Sequence, residues 1–408
     1  MSKLSFYAVA ACVAATTFQL SAQTPVAALA AATVPNADVL FHSDNAKTRA
    51  APIYKSLEEV GKKIQELAAK QDEDSAKIMK GFQELCEKEG FSSENLETTV
   101  FSASFGKLVS EIIKAAKAGD EPELKVDDIS FLLAASVKKP VTTGNLKKIA
   151  AGMVALIPGD DKEMLDKIVT ADFEHNGVSG MSLTFKLDAD ELKDSPFDKV
   201  PVFAVALAAD GKVVFAGLDS QVKAAIDRAK AGSEAEASAE LKKLVQSTLA
   251  GEPLNKRDVF GAFVMPQAFR DAMADLAKDM EDFPMPGVVP GIQAIKTLQG
   301  VRIAQAYGAK FDCSINLVLD SAETANSFKD VLQINVMNMA KMGLFQLTGK
   351  NTAFAESLAA VADGASTSIN FSITAEDINL FFDLLKKKLE EPPAKPFFMG
   401  MDDDDDDE

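Results

Sequence analysis

The 408-residue sequence predicts an α+β protein made of two similar halves, each an antiparallel or mixed sheet with helices packed on a face. Three observations predict that class. Alternating apolar runs are joined in pairs by Asn-Gly or Asp-Gly, which tolerate the positive φ of tight hairpin turns. Apolar residues spaced three and four apart follow them and mark amphipathic helices. The same vocabulary then returns in the second part of the chain, and the hairpins argue against the regular strand-helix-strand alternation of a parallel nucleotide-binding sheet.

The N-terminus reads as an export signal. Lys3 is the only cation of a short leading region, residues 4–20 carry no charge, and Ser21-Ala22-Gln23 offers small residues to a signal peptidase. Residues 1–22 are therefore expected to be removed, with Ala30–Ala32 as an alternative cleavage region, leaving a periplasmic or secreted protein. Val9-Ala10-Ala11-Cys12 has the order of a lipoprotein signal, so a lipid anchor at Cys12 is the second processing route. The Ala/Val/Pro-rich residues 23–36 read as a flexible tether. No later stretch is long and apolar enough to cross a bilayer.

The first half spans 37–232. "ADVLFHSD" (37–44) predicts a strand. Ile53, Leu57, Val60, Ile64 and Leu67 predict a helix, which Ile78, Phe82 and Leu85 resume after a polar break until Gly90. The region 91–126 is ambiguous: "TTVFSASF" fits strand or helix, while Leu108, Ile112 and Ala116 have helical spacing. A strand over 128–137 and a helix in "GNLKKIAAGMVAL" follow. One hairpin turns at His175-Asn176-Gly177 and the next at Asp210-Gly211, leading into a helix that ends at Gly232.

A linker and helix fill 233–256. The second half, 257–390, opens with the strand "RDVFGAFVM", then Pro266 as a helix start. It continues with a strand pair turning near Gly308, a long helix over 321–342, a strand at 366–374 and a closing helix. Residues 391–408 form a Pro/Phe and poly-acidic tail.

Four strand-to-helix joins pass through Asp188, Asp219, Asp320 or Thr374, and in three of them an acid lies three residues on: Glu191, Glu323 and Asp377. This is capping-box order, in which two side chains satisfy the helix's free N–H groups. Each cap is worth about 1 kcal/mol. A phosphate-binding turn needs those N–H groups vacant, so these joins are expected to serve folding.

The remaining chemistry is sparse. A net charge of −18 disfavours nucleic acid and anionic lipid. Cys86 and Cys313 are not a disulfide framework; they form one bond or two buried thiols. Of the two histidines, His42 lies beside Ser43 and Asp44, but successive strand residues alternate faces and cannot form a relay. His175 has a turn role. Phosphate loops, zinc helices, Cys-x-x-Cys pairs and nucleophile elbows are missing, and 61 acids single out no catalytic pair. The sequence thus names no catalytic or cofactor-binding residue. Met337, Met339, Met342, Met399 and Met401 are thioethers suited to copper, yet 337 and 339 point to different sides of a helix and Met is an ordinary core filler. Asp402, Asp403, Asp404, Asp405, Asp406, Asp407 and Glu408 are the calcium candidates. Without EF-hand spacing their affinity should be on the order of millimolar, and the competing role is a solvated tail.

The segments "ADVLFHSDN", "FAVALAADGKVVFAGLDSQVKAAID", "RDVFGAFVMPQAFRDAM" and "INLVLDSAETANSFKDVL" resemble a group of uncharacterised exported bacterial proteins with two tandem α+β halves after a signal peptide. The resemblance implies that architecture and an extracytoplasmic location, and transfers no catalytic residue. The expected function is non-catalytic binding of a partner protein, peptide or surface. The alternatives are a carboxylate-based hydrolase or a carrier of an apolar ligand.

Overall fold

Strand β1 (Val39–Asp44) lies antiparallel between β2 (Leu96–Ser104) and β10 (Val259–Val264), and so joins the two halves of the chain into one sheet. The computed structural model describes residues 32–71, 73–156, 167–187, 197–233, 235–249, 251–279 and 294–390. On one side of β1 the sheet continues from β2 through β3 (Ser130–Val137), β7 (Val213–Leu218), β6 (Phe203–Ala208) and β5 (Val178–Phe185) to β4 (Ile168–His175). On the other it continues from β10 through β11 (Gly300–Tyr307), β12 (Phe311–Val318) and β14 (Ser366–Ile373) to β13 (Ala359–Asp363). All ladders of this twelve-stranded sheet are antiparallel. The α+β class holds, and the two halves share a single sheet. A two-stranded pair, β8 (Thr248–Leu249) and β9 (Glu252–Pro253), stands apart.

The ambiguous "TTVFSASF" is strand β2, held from both sides by β1 and β3. The hairpin at 175–178 has the expected positive φ at Asn176 and Gly177. The one before β7 is wider than an Asp-Gly turn: Ala209, Asp210 and Gly211 all take left-handed φ. Gly211 is required there because a Cβ would collide with the Val141 carbonyl, whose own N–H bonds the Gly211 oxygen at 2.9 Å.

Among the described residues the main helices are α1 (Asn45–Ala50), α2 (Pro52–Gln71), α3 (Glu73–Lys88), α4 (Gly106–Ala118), α5 (Thr143–Leu156), α6 (Asp219–Ala231), α7 (Ala239–Gln246), α8 (Gln267–Asp279), α9 (Ala322–Val331), α10 (Asn338–Thr348), α11 (Ala353–Ser357) and α12 (Ala375–Glu390). Strand alternation sorts the core. On one face, Leu132, Ala134, Ala206, Val213, Phe215, Phe260 and Ala262 pack under Val222, Ala225 and Ile226 of α6 and Leu241 and Leu244 of α7. On the opposite face the second half is covered instead. Tyr307, Phe311 and Ile373 meet α2 and α12, and Ile369 and Phe371 meet Leu332, Met337 and Ala340.

Two expectations about connecting segments change. Ala32 and Val34, placed in the tether, are fully buried; Val34 N–H donates to Ser102 Oγ, and Ser102 Oγ donates to the Ala32 carbonyl. The helix of the linker region, α7, is a core element whose Leu241 is 1% exposed. In both cases small or apolar side chains fill the floor of the sheet, a role that composition alone does not reveal.

Candidate functional site

The four capping joins meet different fates. Thr374 forms the expected box: its N–H and hydroxyl donate to Asp377 Oδ2, and the Asp377 N–H donates back to Thr374 Oγ1 at 3.2 Å. At the next join the cap is Ser321, one residue past Asp320, and its Oγ accepts from the Thr324 N–H. Asp219 is not a cap. It is the first residue of α6 after Leu218, which makes no side-chain cap, and it pairs with Lys223 at 2.8 Å. The helix end there is still complemented by a carboxylate in its first turn. Asp188 and Glu191 lie outside the described residues, as do Cys12, Met399, Met401 and the acidic tail Asp402–Glu408.

A cleft of about 570 Å³ opens where α4, α7 and α8 begin, lined among others by Asp38, Lys107, Gln221, Glu240 and Arg270. Asp38 accepts hydrogen bonds from the Phe105 and Gly106 N–H groups, the latter at 2.7 Å, and so caps α4 from another segment. Burial raises its pKa, against the lowering effect of those bonds. Ser238 Oγ accepts from the Leu241 N–H and caps α7. Pro266 leads into α8 and has no N–H to offer. Of the other acids here, Asp128 pairs with Lys107 and Asp127 with Lys199, while Glu240 is exposed to solvent. The cleft therefore has capped starts at α4 and α7 and dispersed ion pairs in place of two converging buried acids.

His42 stacks on Phe260 with ring centroids 5.1 Å apart. Its Nδ1 is buried without a hydrogen-bond partner. Burial lowers its pKa, opposed by the charges of Asp44 and Asp258. Alternation along β1 sends Ser43 to the opposite face, so no Ser/His relay is assembled. His175 Nε2 lies 2.7 Å from Asp227 Oδ1 and ties the β4–β5 turn to α6. Cys86 and Cys313 are free buried thiols, each pushed up to about 11 by burial. Among the described residues no group of three or more His, Cys, Asp or Glu side chains is placed to hold a metal.

Arg302 is a further buried cation, 5% exposed. Its Nε donates to Asn316 Oδ1 at 2.8 Å, Nη1 to Ser247 Oγ and the Thr248 carbonyl, and Nη2 to Asn316 and Ser366. Neutral oxygens thus take up the guanidinium fork, fastening the end of α7 to β11 and β12. It is a strut with its donors already engaged.

The unusual surface lies on the helix that leaves α9. A π-helical turn, Leu332–Met337, joins α9 to α10. The wider turn sends Leu332 and Met337 inward while Ile334 and Val336 face out. Gln333 Oε1 accepts from the Ala360 N–H and anchors the turn to the edge strand β13. Beyond it, Met339, Met342 and Phe345, spaced three apart, face outward with Leu347 on a flank; the six apolar side chains are 47–69% exposed, and α10 buries none of its residues. Between Asp330 and Glu356 there is no acid, and Lys341 and Lys350 are the only cations. The thioethers do not converge: Met337 is 3% exposed whereas Met339 and Met342 point to solvent. The legible signal for this ridge was a long helix with almost no charge on any face, rather than its methionines.

No helix among the described residues is long and apolar enough to cross a membrane. No protein-family model matches the chain, and no curated sequence does. Among solved structures, crystal form I of TP0453 aligns with a TM-score of 0.33 and crystal form III with 0.37. Each is 10% identical and covers 87% of this chain and 97% of that one.

Proposed function

We propose that this is an exported, non-catalytic binding protein whose working surface is the apolar ridge of the π-turn and α10. One observation carries the reading: six large apolar side chains are 47% exposed or more on one acid-free helical segment of a net-acidic chain. Soluble proteins rarely leave a contiguous apolar patch beyond about 600 Å² open unless something docks on it. The capped starts of α4 and α7 and the dispersed ion pairs of the cleft support the same reading over a carboxylate-based hydrolase. Export rests on residues 1–22 as a signal. A cut after Ala22 keeps Ala32 and Val34 in the core, whereas a cut past Ala32 would strip the first of them away.

A photo-crosslinking side chain at position 342, in protein expressed in its source cell, tests the reading. Discrete higher-mass adducts are expected from position 342 and none from Lys230 on the charged outer face of α6. Absence of adducts at 342 overturns it. Intact-mass measurement of the mature chain checks the processing site.

A further inference from the structure

We propose that the ridge is the contact face of a twofold-symmetric dimer of this chain. The inference rests on the reading of the ridge as a binding surface and names its occupant. Four observations converge on a second copy.

The first is area. Met339, Met342 and Phe345 face outward with Ile334, and Val336 and Leu347 flank them; together they present on the order of 600 Å² of apolar surface, so a contact that wraps the helix and takes in the polar residues between them approaches the roughly 800 Å² per partner of a specific complex.

The second is charge. The chain carries −18 overall, yet residues 331–355 contain no acid. Seven of those negative charges lie in Asp402–Glu408; a contact through 331–355 brings two copies together without setting acid against acid, with one lysine, Lys341, on α10.

The third is the pattern within the ridge. Exposed Asn335 and Gln346 are interspersed with the apolar side chains. An amide both donates and accepts, so a twofold contact, which sets the same patch against itself, can satisfy these groups reciprocally. A lipid-facing helix favours basic residues on its polar face with Trp, Phe and Leu on the other, and this chain has no Trp.

The fourth is Gly343. A Cβ there would meet nothing within 4 Å, so packing within the chain does not require a glycine. In a helix interior glycine costs about 1 kcal/mol relative to alanine. Close approach of a second helix gives this position a reason to be glycine.

Sedimentation equilibrium of the full chain over a wide concentration range is the test. The expected result is a species of twice the chain mass. Its dissociation constant should rise at least about tenfold in Met342→Glu, which sets a carboxylate against its own copy, while the thermal melt of the dilute protein is unchanged. Met342→Gln should weaken it less, and Met342→Cys, near the middle of the ridge, should form an interchain disulfide under mild oxidation. A chain that stays single at every concentration overturns the dimer, and so does a dimer indifferent to both Met342→Glu and Met342→Gln. Flotation of the single chain with phosphatidylcholine vesicles would reassign the ridge to lipid. A position-342 crosslink to a different protein would overturn the dimer and leave the binding reading standing; no crosslink at all would remove both.

Discussion

Helices α6 and α10 lie toward opposite ends of the same sheet and obey different rules. In α6, Val222, Ala225 and Ile226 are buried against the sheet while Asp219, Lys223, Asp227 and Lys230 engage in polar contacts around them. In α10 no residue is buried, and Met339, Met342, Phe345 and Leu347 are left exposed beside the polar Asn338 and Gln346. An amphipathic helix declares which side is the core; a helix apolar all round is normally covered on every side. The contrast teaches that α6 is completed by this chain and α10 is not.

The largest expected effect is at the completed end. Ile226→Ala should cost about 2–5 kcal/mol, because it opens a void under α6 that the rigid sheet cannot close. Urea unfolding midpoints measure it, and a loss below 1 kcal/mol would break the contrast. Next comes Asp377→Ala, which removes the reciprocal cap of α12 and should cost about 1–2 kcal/mol; Asp219→Asn removes only a partly exposed ion pair and should fall under about 1 kcal/mol.

A smaller, pH-dependent effect lies at the seam, on β1. Burial holds His42 below its ordinary pKa of 6.5, so below that pH the unfolded chain binds more protons than the folded one. The stability from neutral His42 is therefore present above pH 6.5 and is lost as pH falls. Asp38 and Asp44, both raised by burial, act in the opposite sense over the carboxylate range. In His42→Gln the decline from pH 7.5 to 5.5 should flatten; an unchanged slope assigns the decline elsewhere. The smallest effect sharpens the comparison most: Met342→Ser should change the stability of the dilute single chain by less than about 0.5 kcal/mol. A loss comparable to that of Ile226→Ala would mean that α10 is covered within the chain after all.

Where the sequence was legible, local physics was in control. β12 and β14 alternate so regularly that Cys313, Ile315 and Leu317 and their partners Phe371, Ile369 and Thr367 share the face covered by helices, while Ser314, Asn316, Ser368 and Asn370 share the other. The Asn176-Gly177 turn and the Thr374/Asp377 box were readable for the same reason: each is closed by residues a few positions apart. At Asp219 and Asp320 the helix begins one residue away from where the spacing predicts, a shift that spacing does not register. β2, Ala32 and Val34 could not be placed locally, since what orders them is pairing with β1 and β3 and the hydroxyl of Ser102. The Arg302 fork was equally hidden, being assembled from β11, β12, β14 and the end of α7.

By itself the sequence determined the α+β class, the paired strands and the scarcity of reactive motifs, because alternation, turn residues and residue types act over a few positions. Only the tertiary structure decided that both halves share one sheet through β1, that its ends are covered on opposite faces, and that the helix after the π-turn is left bare. Burial belongs to surfaces brought together from distant parts of the chain, and a helix with apolar residues spread around it carries no local mark of which of them will stay in water.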